Sequence, residues 1–391
     1  MDAHEVKDRT SFETWLSGRS PADVIWINNR AAMRVLPIAL AQPIHLSGRY
    51  PDLALLRALI TSQAASVFDT KLIRQAAALA SKFDAGASVG RGAGSSEVLH
   101  AFDAGCSTCD LVNRTSVRMQ ISESIRIAAL ASDASLASSG SKDGNHHEIW
   151  SEAFLDAQFC QSRHVKGRLP LWSEKAPTWL ESALATLRLQ WDTEHSSAQF
   201  WLRWYDAALA GTPLNWDMHR DIALIPNEDW EQGASHIAGL IAIIEERYRL
   251  LQQTAQLKAA LATPTLIATA NVATPKQRSH NNPPDLVDAE IELHKSLAIT
   301  RAALDEAELE LAKPDPDPSI LTLIAEKLQV AAIAIAGYCA TLGDITLKKA
   351  AEQVGTTATK WIIAYLFVQS GPVQSLAQDL ISFARMLIPG G

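Results

Sequence analysis

Cysteine is scarce in this chain. Cys106, Cys109, Cys160 and Cys339 are its only four among 391 residues, too few and too scattered for a disulfide framework. The opening residues, MDAHEVKDRTSF, have no apolar run behind a basic start, so no secretory leader is expected and the expected location is cytoplasmic. Strand-like alternation of apolar and polar residues is missing, which leaves an all-α fold as the reading. No period of matching residues recurs, which excludes a solenoid. A membrane span needs about 20 mostly apolar residues, and the charge-free runs fall short of that. Leu328 to Gly343 holds 16 residues, and Trp361 to Gln378 is interrupted by Gln369-Ser370-Gly371-Pro372, a combination that ends helices. Both are expected to be buried helices.

Apolar residues make up 47% and charged residues 20% of the chain, the proportions of a globular protein with real cores. The formal charge is −8, which disfavours nucleic acid as a partner. Most of the excess sits in one place, because ten acidic residues meet only three basic ones between Asp285 and Pro318.

Helix punctuation is frequent. Ser20-Pro21-Ala22-Asp23 combines an N-cap, a first-turn proline and an acid, and the apolar spacing beyond it predicts a helix that bends or ends near Pro37. Pro51-Asp52 starts an alanine- and leucine-rich helix pair, and Gly86 to Glu97 has the composition of a loop. Gly211-Thr212-Pro213 closes one helix, Asn215 opens the next, and Pro226 precedes a helix expected to run from Glu228 to about Ala262. Thr263 to Asp285 carries four prolines without a helical stripe and reads as a linker. Beyond it, Asp285 to Lys313 reads as an amphipathic helix with Leu286, Leu293, Leu297, Leu304 and Leu311 near one stripe, and Asp317-Pro318 starts the next. The remaining helices are expected to divide near Gly343-Asp344 and Gly371-Pro372.

The organisation expected is therefore a helical domain over residues 1–262, with a sub-boundary admitted near 140–178. A proline-containing linker over 263–284 and a C-terminal helical hairpin or small bundle over 285–391 complete it.

Each polar constellation has a plainer reading beside its functional one. Cys106 and Cys109 have the spacing of a metal or redox half-site, but the second half is missing and His146-His147 makes a poor substitute. They read as small residues at a helix end, and no metal or cofactor is expected. Gly90-Arg-Gly-Ala-Gly94 has the look of a phosphate loop, without the preceding strand or the following Lys-Ser/Thr. Arg188 and His195, with six residues between them, resemble the Arg-then-His motif of helical HEPN ribonucleases, which acts on a phosphodiester; Leu189 stands where that family favours a polar residue.

Eight of the eleven tryptophans fall between Trp150 and Trp230. Trp201, Trp204, Trp216 and Trp230 read as core anchors at the corners between short helices. If exposed, they would instead form a protein-binding surface. The run WLRWYDAALAG at 201–211, IPNEDWEQG at 225–233 and FETWLSGRSPADVIWINNRAAMRVLP at 12–37 resemble uncharacterised, alanine-rich helical bacterial proteins. The resemblance covers residues 10–50 and 195–245. It implies a helical bacterial protein and brings no site with it.

The function expected is that of a non-enzymatic protein-interaction or scaffold protein, with a protein partner or self-association. The first alternative is an effector whose C-terminal apolar helices, within residues 319–391, oligomerise or insert into membranes. A second is the HEPN-like ribonuclease.

Overall fold

Ser20 opens the helix around which the N-terminal half is built. In the computed structural model its side chain accepts from the Asp23 amide at 3.2 Å, and Pro21 takes the first helical position, where a missing N–H does no harm. The structure describes residues 9–41, 51–81, 96–113, 122–138, 147–160, 168–193, 198–212, 215–261, 284–349 and 357–388, and every described regular element is a helix. The chain divides into two compact units, Met1–Ala242 and Ile243–Gly391.

The first unit contains α1 (Arg9–Ser17), α2 (Pro21–Leu40), α3 (Pro51–Ala65), α4 (Lys71–Ala80), α5 (Ser96–Asn113) and α6 (Glu123–Ser138). It continues with α7 (His147–Phe159), α8 (Thr178–Thr193), α9 (Gln199–Ala210), α10 (Trp216–Ala223) and α11 (Asn227–Trp230). Helix α2 is its axis: α3, α5, α6, α7 and α8 all pack on it, and every side chain from Val24 to Leu40 is buried. The helix expected to bend or end near Pro37 runs three residues past it and ends at Leu40. A proline inside a helix costs roughly 3 kcal/mol, and burial of Ile38, Ala39 and Leu40 beyond it offsets that loss.

No division appears at 140–178, because α7 and α8, on either side of it, both pack against α2. Gly211 ends α9 in the left-handed region at φ 65°. A Cβ there would stand 2.6 Å from the Arg168 carbonyl oxygen and 2.6 Å from the Pro170 nitrogen. Asn215 caps α10 on the Met218 amide. The single helix expected from Glu228 is instead two: α11 is one turn, and Gly233 at φ 96° separates it from α12 (Ala234–Leu261). Only glycine adopts that angle without strain.

Residues 243–261 of α12 belong to the second unit, earlier than the boundary expected near residue 262. They share a core with α13 (Pro284–Leu311), α14 (Pro318–Lys349) and α15 (Thr357–Met386), through Leu250, Leu257, Leu304, Leu328, Leu380 and Phe383. Ion pairs and caps set the directions. Arg247 donates to the Lys313 carbonyl, Arg301 donates to the Leu261 carbonyl, and Lys327 pairs with Glu306 at 2.7 Å, so α13 runs antiparallel to both α12 and α14. The result is a small bundle of four helices with α13 and α14 as its central hairpin.

Helix α14 passes through Gly343-Asp344, and α15 passes through Gly371-Pro372, where helix ends are expected. Val373, Leu376 and Ala377 are buried just after Pro372, and their packing holds the helix together. The linker over residues 263–283 lies outside the described residues, as do the Gly90–Gly94 loop and His146.

Candidate interaction surface

Two residues that sequence reasoning did not single out carry the densest polar network. Arg30 and Arg34 lie one turn apart on α2, and both are buried. Arg30 Nε donates to Asp156 Oδ1 at 2.8 Å, while Arg34 Nη1 stands 2.8 Å from Asp156 Oδ2. The same guanidinium groups donate to the carbonyls of Leu169, Pro170 and Leu171, at 2.9, 2.6 and 2.8 Å. Glu152 accepts from the Ser173 amide and hydroxyl. Trp26 and Trp172 cover the guanidinium faces. Burial lowers the Arg30 pKa, and the Asp156 carboxylate opposes that shift. These donors are committed to α7 and to segment 169–171, so the network is a clip that fixes that segment on α2. The signal was present in WINNRAAMRVL: two arginines at helical spacing in a run whose only other polar residues are Asn28 and Asn29.

The tryptophans are mostly core. Trp201, Trp204 and Trp230 are buried and Trp216 is half-buried. Trp201 and Trp204 meet edge-on at 5.7 Å, and Trp204 Nε1 donates to Gln63 Oε1 at 2.9 Å. Trp230 Nε1 donates to the Ile225 carbonyl beneath the Arg57 guanidinium. The binding surface considered for these indoles is therefore corrected for the three buried ones: their area is already spent inside the unit. Trp26, Gln63, Gly211 and Trp216 help line a cavity of 20 Å³, room for about one water.

Cys106 and Cys109 lie within α5, not at a helix end as expected. The Cys109 thiol donates to the Ala58 carbonyl at 3.1 Å, and burial pushes its pKa up to about 12 although the Arg57 charge pulls it down. A metal ligand or redox thiolate needs the opposite shift. Among the described residues no three His, Cys, Asp or Glu side chains come together as metal ligands. Arg188 is exposed and paired with Asp206 at 2.8 Å, and His195 lies outside the described residues.

His219 on α10 is buried, its Nδ1 lacks a described partner, and burial lowers its pKa from 6.5 to about 4. The unfolded chain takes up this proton near pH 6.5, whereas the folded unit holds the ring neutral down to about pH 4. Neutral His219 thus contributes stability above pH 6.5 that is lost as pH falls through this window. The His219→Leu variant is expected to lose less stability than the parent between pH 6.5 and pH 4, measured as urea midpoints. Equal losses in the two proteins would remove this role.

The second unit presents a different kind of surface. Asp317 caps α14, accepting from the Ser319 amide at 2.8 Å, and Leu321, Ile324, Leu328 and Ile335 turn one face into the core. A helix in this position needs only one apolar face. Helix α14 has a second: Ile320, Leu323, Val330 and Ile333 are 40%, 52%, 65% and 69% exposed. Exposed Glu326 and half-buried Lys327 lie midway along this stripe, and Lys327 also reaches Glu306 on α13. On α13, one turn beyond Glu306, Leu309 is 72% exposed.

The segment Pro318–Gly337 is long and apolar enough to cross a membrane, and less than half of it is buried. It is offset from the charge-free run at Leu328–Gly343. A search for uncharged stretches passes it by, because Glu326-Lys327 divides it. The readable signal in ILTLIAEKLQVAAIAI was more apolar positions than one buried stripe requires. The side chains of 361–370, the first part of the second charge-free run, lie outside the described residues.

No protein family, curated protein or solved structure matches this chain.

Proposed function

We propose that the chain works as a protein-interaction or scaffold protein rather than an enzyme, and that its contact surface is the outward stripe of α14. The observation that carries this reading is the exposure of Ile320, Leu323, Val330 and Ile333 on a helix whose opposite face is core. Scattered exposed apolar residues need no explanation, but four large ones aligned over about 20 Å of one helix favour a covering partner. The deepest charges of the N-terminal unit serve its own packing, which supports a scaffold role for that half. A photoactivatable cross-linking residue at Val330, in cells that express the intact chain, is expected to capture a protein. Capture of none would overturn the reading.

The 20-residue span of Pro318–Gly337 favours a second reading, a membrane-active C-terminal unit. The intact chain would then float with liposomes, and Val330→Glu would abolish flotation. Glu326 and Lys327 weigh against it. A charged side chain at the middle of a span costs roughly 2.5–3.5 kcal/mol on insertion scales, and these two residues sit at the window's midpoint.

A further inference from the structure

We infer that the occupant of the α14 stripe is a second copy of this chain, with the two α14 helices packed parallel about a two-fold axis that runs along them. This rests on the interaction reading above and names its partner.

The stripe has a heptad order. Leu323 and Val330 are seven residues apart and differ by only about 20° around the helix axis, so they mark its centre line. Ile320, Lys327 and Ala334 follow one another at the same seven-residue step, all on one side of that line. Lys327 is half-buried and the other four are exposed. Isoleucine and leucine at these two alternating positions, with a single lysine among them, make the pattern by which two parallel helices pair in fixed register.

Charge decides the direction. Glu326 and Lys327 lie about 50° to either side of the centre line, on opposite flanks. A two-fold axis along the helices brings each flank against the partner's other flank at the same height, so Glu326 meets the partner's Lys327, twice over by symmetry. An antiparallel two-fold would set each flank on its own copy, and like charges across an interface are strongly disfavoured.

Side-chain size fits the same arrangement. Ile320 falls opposite the partner's Ser319, and Ile333 falls opposite the partner's Ala334, a large residue against a small one each time. At the centre, Leu323 and Val330 meet their own counterparts, so one patch serves both copies, as an isologous interface requires. Lys327 already pairs with Glu306 at 2.7 Å, which holds its ammonium on the flank and leaves further donors on the same group. One turn along α13 from Glu306, exposed Leu309 adds apolar area on that flank. The interface remains small, so a dissociation constant on the order of tens of micromolar is expected.

The test is sedimentation of the purified intact chain over a concentration series, alone and as charge variants. The parent is expected to move from monomer to dimer. Glu326→Lys alone and Lys327→Glu alone each place like charges at both cross-pairs, and each is expected to weaken the dimer roughly tenfold or more. The double variant carrying both exchanges restores opposite pairs and is expected to regain the parent's affinity. Mixing the two single variants is expected to give a heterodimer that neither forms alone. Circular dichroism checks that each variant stays helical, and Glu326→Lys carries the test by itself if loss of the Glu306 pair unsettles Lys327→Glu.

The inference is overturned if the parent remains monomeric up to about 0.5 mM. It is equally overturned if Glu326→Lys leaves the dimer intact, the result of an antiparallel pair, in which that exchange only replaces one like pair with another. Failure of the double exchange to restore the dimer would also end it. A monomeric parent whose Val330 cross-links to another protein would end the self-pairing idea while the interaction reading survives. A Val330 that cross-links to nothing would end both.

Discussion

The Asp156→Ala variant is expected to destabilise the N-terminal unit by about 3–5 kcal/mol, the range for removing one partner of a buried ion pair. Asp156 is 1% exposed and serves two guanidinium groups at once, Arg30 and Arg34, each at 2.8 Å. Without it, two buried positive charges retain only Glu152, which is 3.5 Å from Arg34 Nη2. Neither arginine can relieve the strain by turning to water, because both are tied to the carbonyls of segment 169–171. Glu152→Ala is expected to cost less, since Glu152 is partly solvated and its contact with Arg34 is long. Urea denaturation of the intact chain, followed by tryptophan emission, compares the two. Equal small losses in both variants would mean that the clip contributes little.

A second large effect is expected in the other unit. Phe383 on α15 is wholly buried in the core shared with α12, α13 and α14. Truncation to alanine removes apolar contact and leaves a cavity, for a loss of about 3–5 kcal/mol. Leu309→Ala, on the same bundle but 72% exposed, is expected to change stability by about 0.5 kcal/mol or less. The contrast separates core from surface with two substitutions of one kind. Comparable losses at both positions would mean that Leu309 is already covered within a single chain.

Local signals in this chain were readable wherever the deciding interaction spans a few residues. Ser20 and Pro21 start α2, Asn215 starts α10, Asp317 starts α14 and Gly211 ends α9, each by a contact with its immediate neighbours. The errors share one cause of the opposite kind. Pro372 is a helix breaker by local chemistry, and the packing of Val373, Leu376 and Ala377 carries α15 past it, while α14 also continues through Gly343. The division at 242 rather than 262 was hidden because α12 is helical across it, and only packing assigns Ile243 onward to the second bundle. The Arg30–Asp156 pair joins residues 126 positions apart, a distance at which no spacing rule operates. The α14 stripe was obscured differently: Glu326 and Lys327 make the segment look ordinary until its exposed face is laid out.

That face holds the functional account, and one comparison tests it most directly. A photoactivatable cross-linking residue is placed at Val330, on the α14 stripe, and in a parallel strain at Gln378, exposed on α15. Irradiation of cells expressing the intact chain is expected to give protein adducts from position 330 and none from position 378. Adducts from both positions in equal yield, or from neither, would contradict the claim that the outward stripe of α14 is where this protein meets its partner.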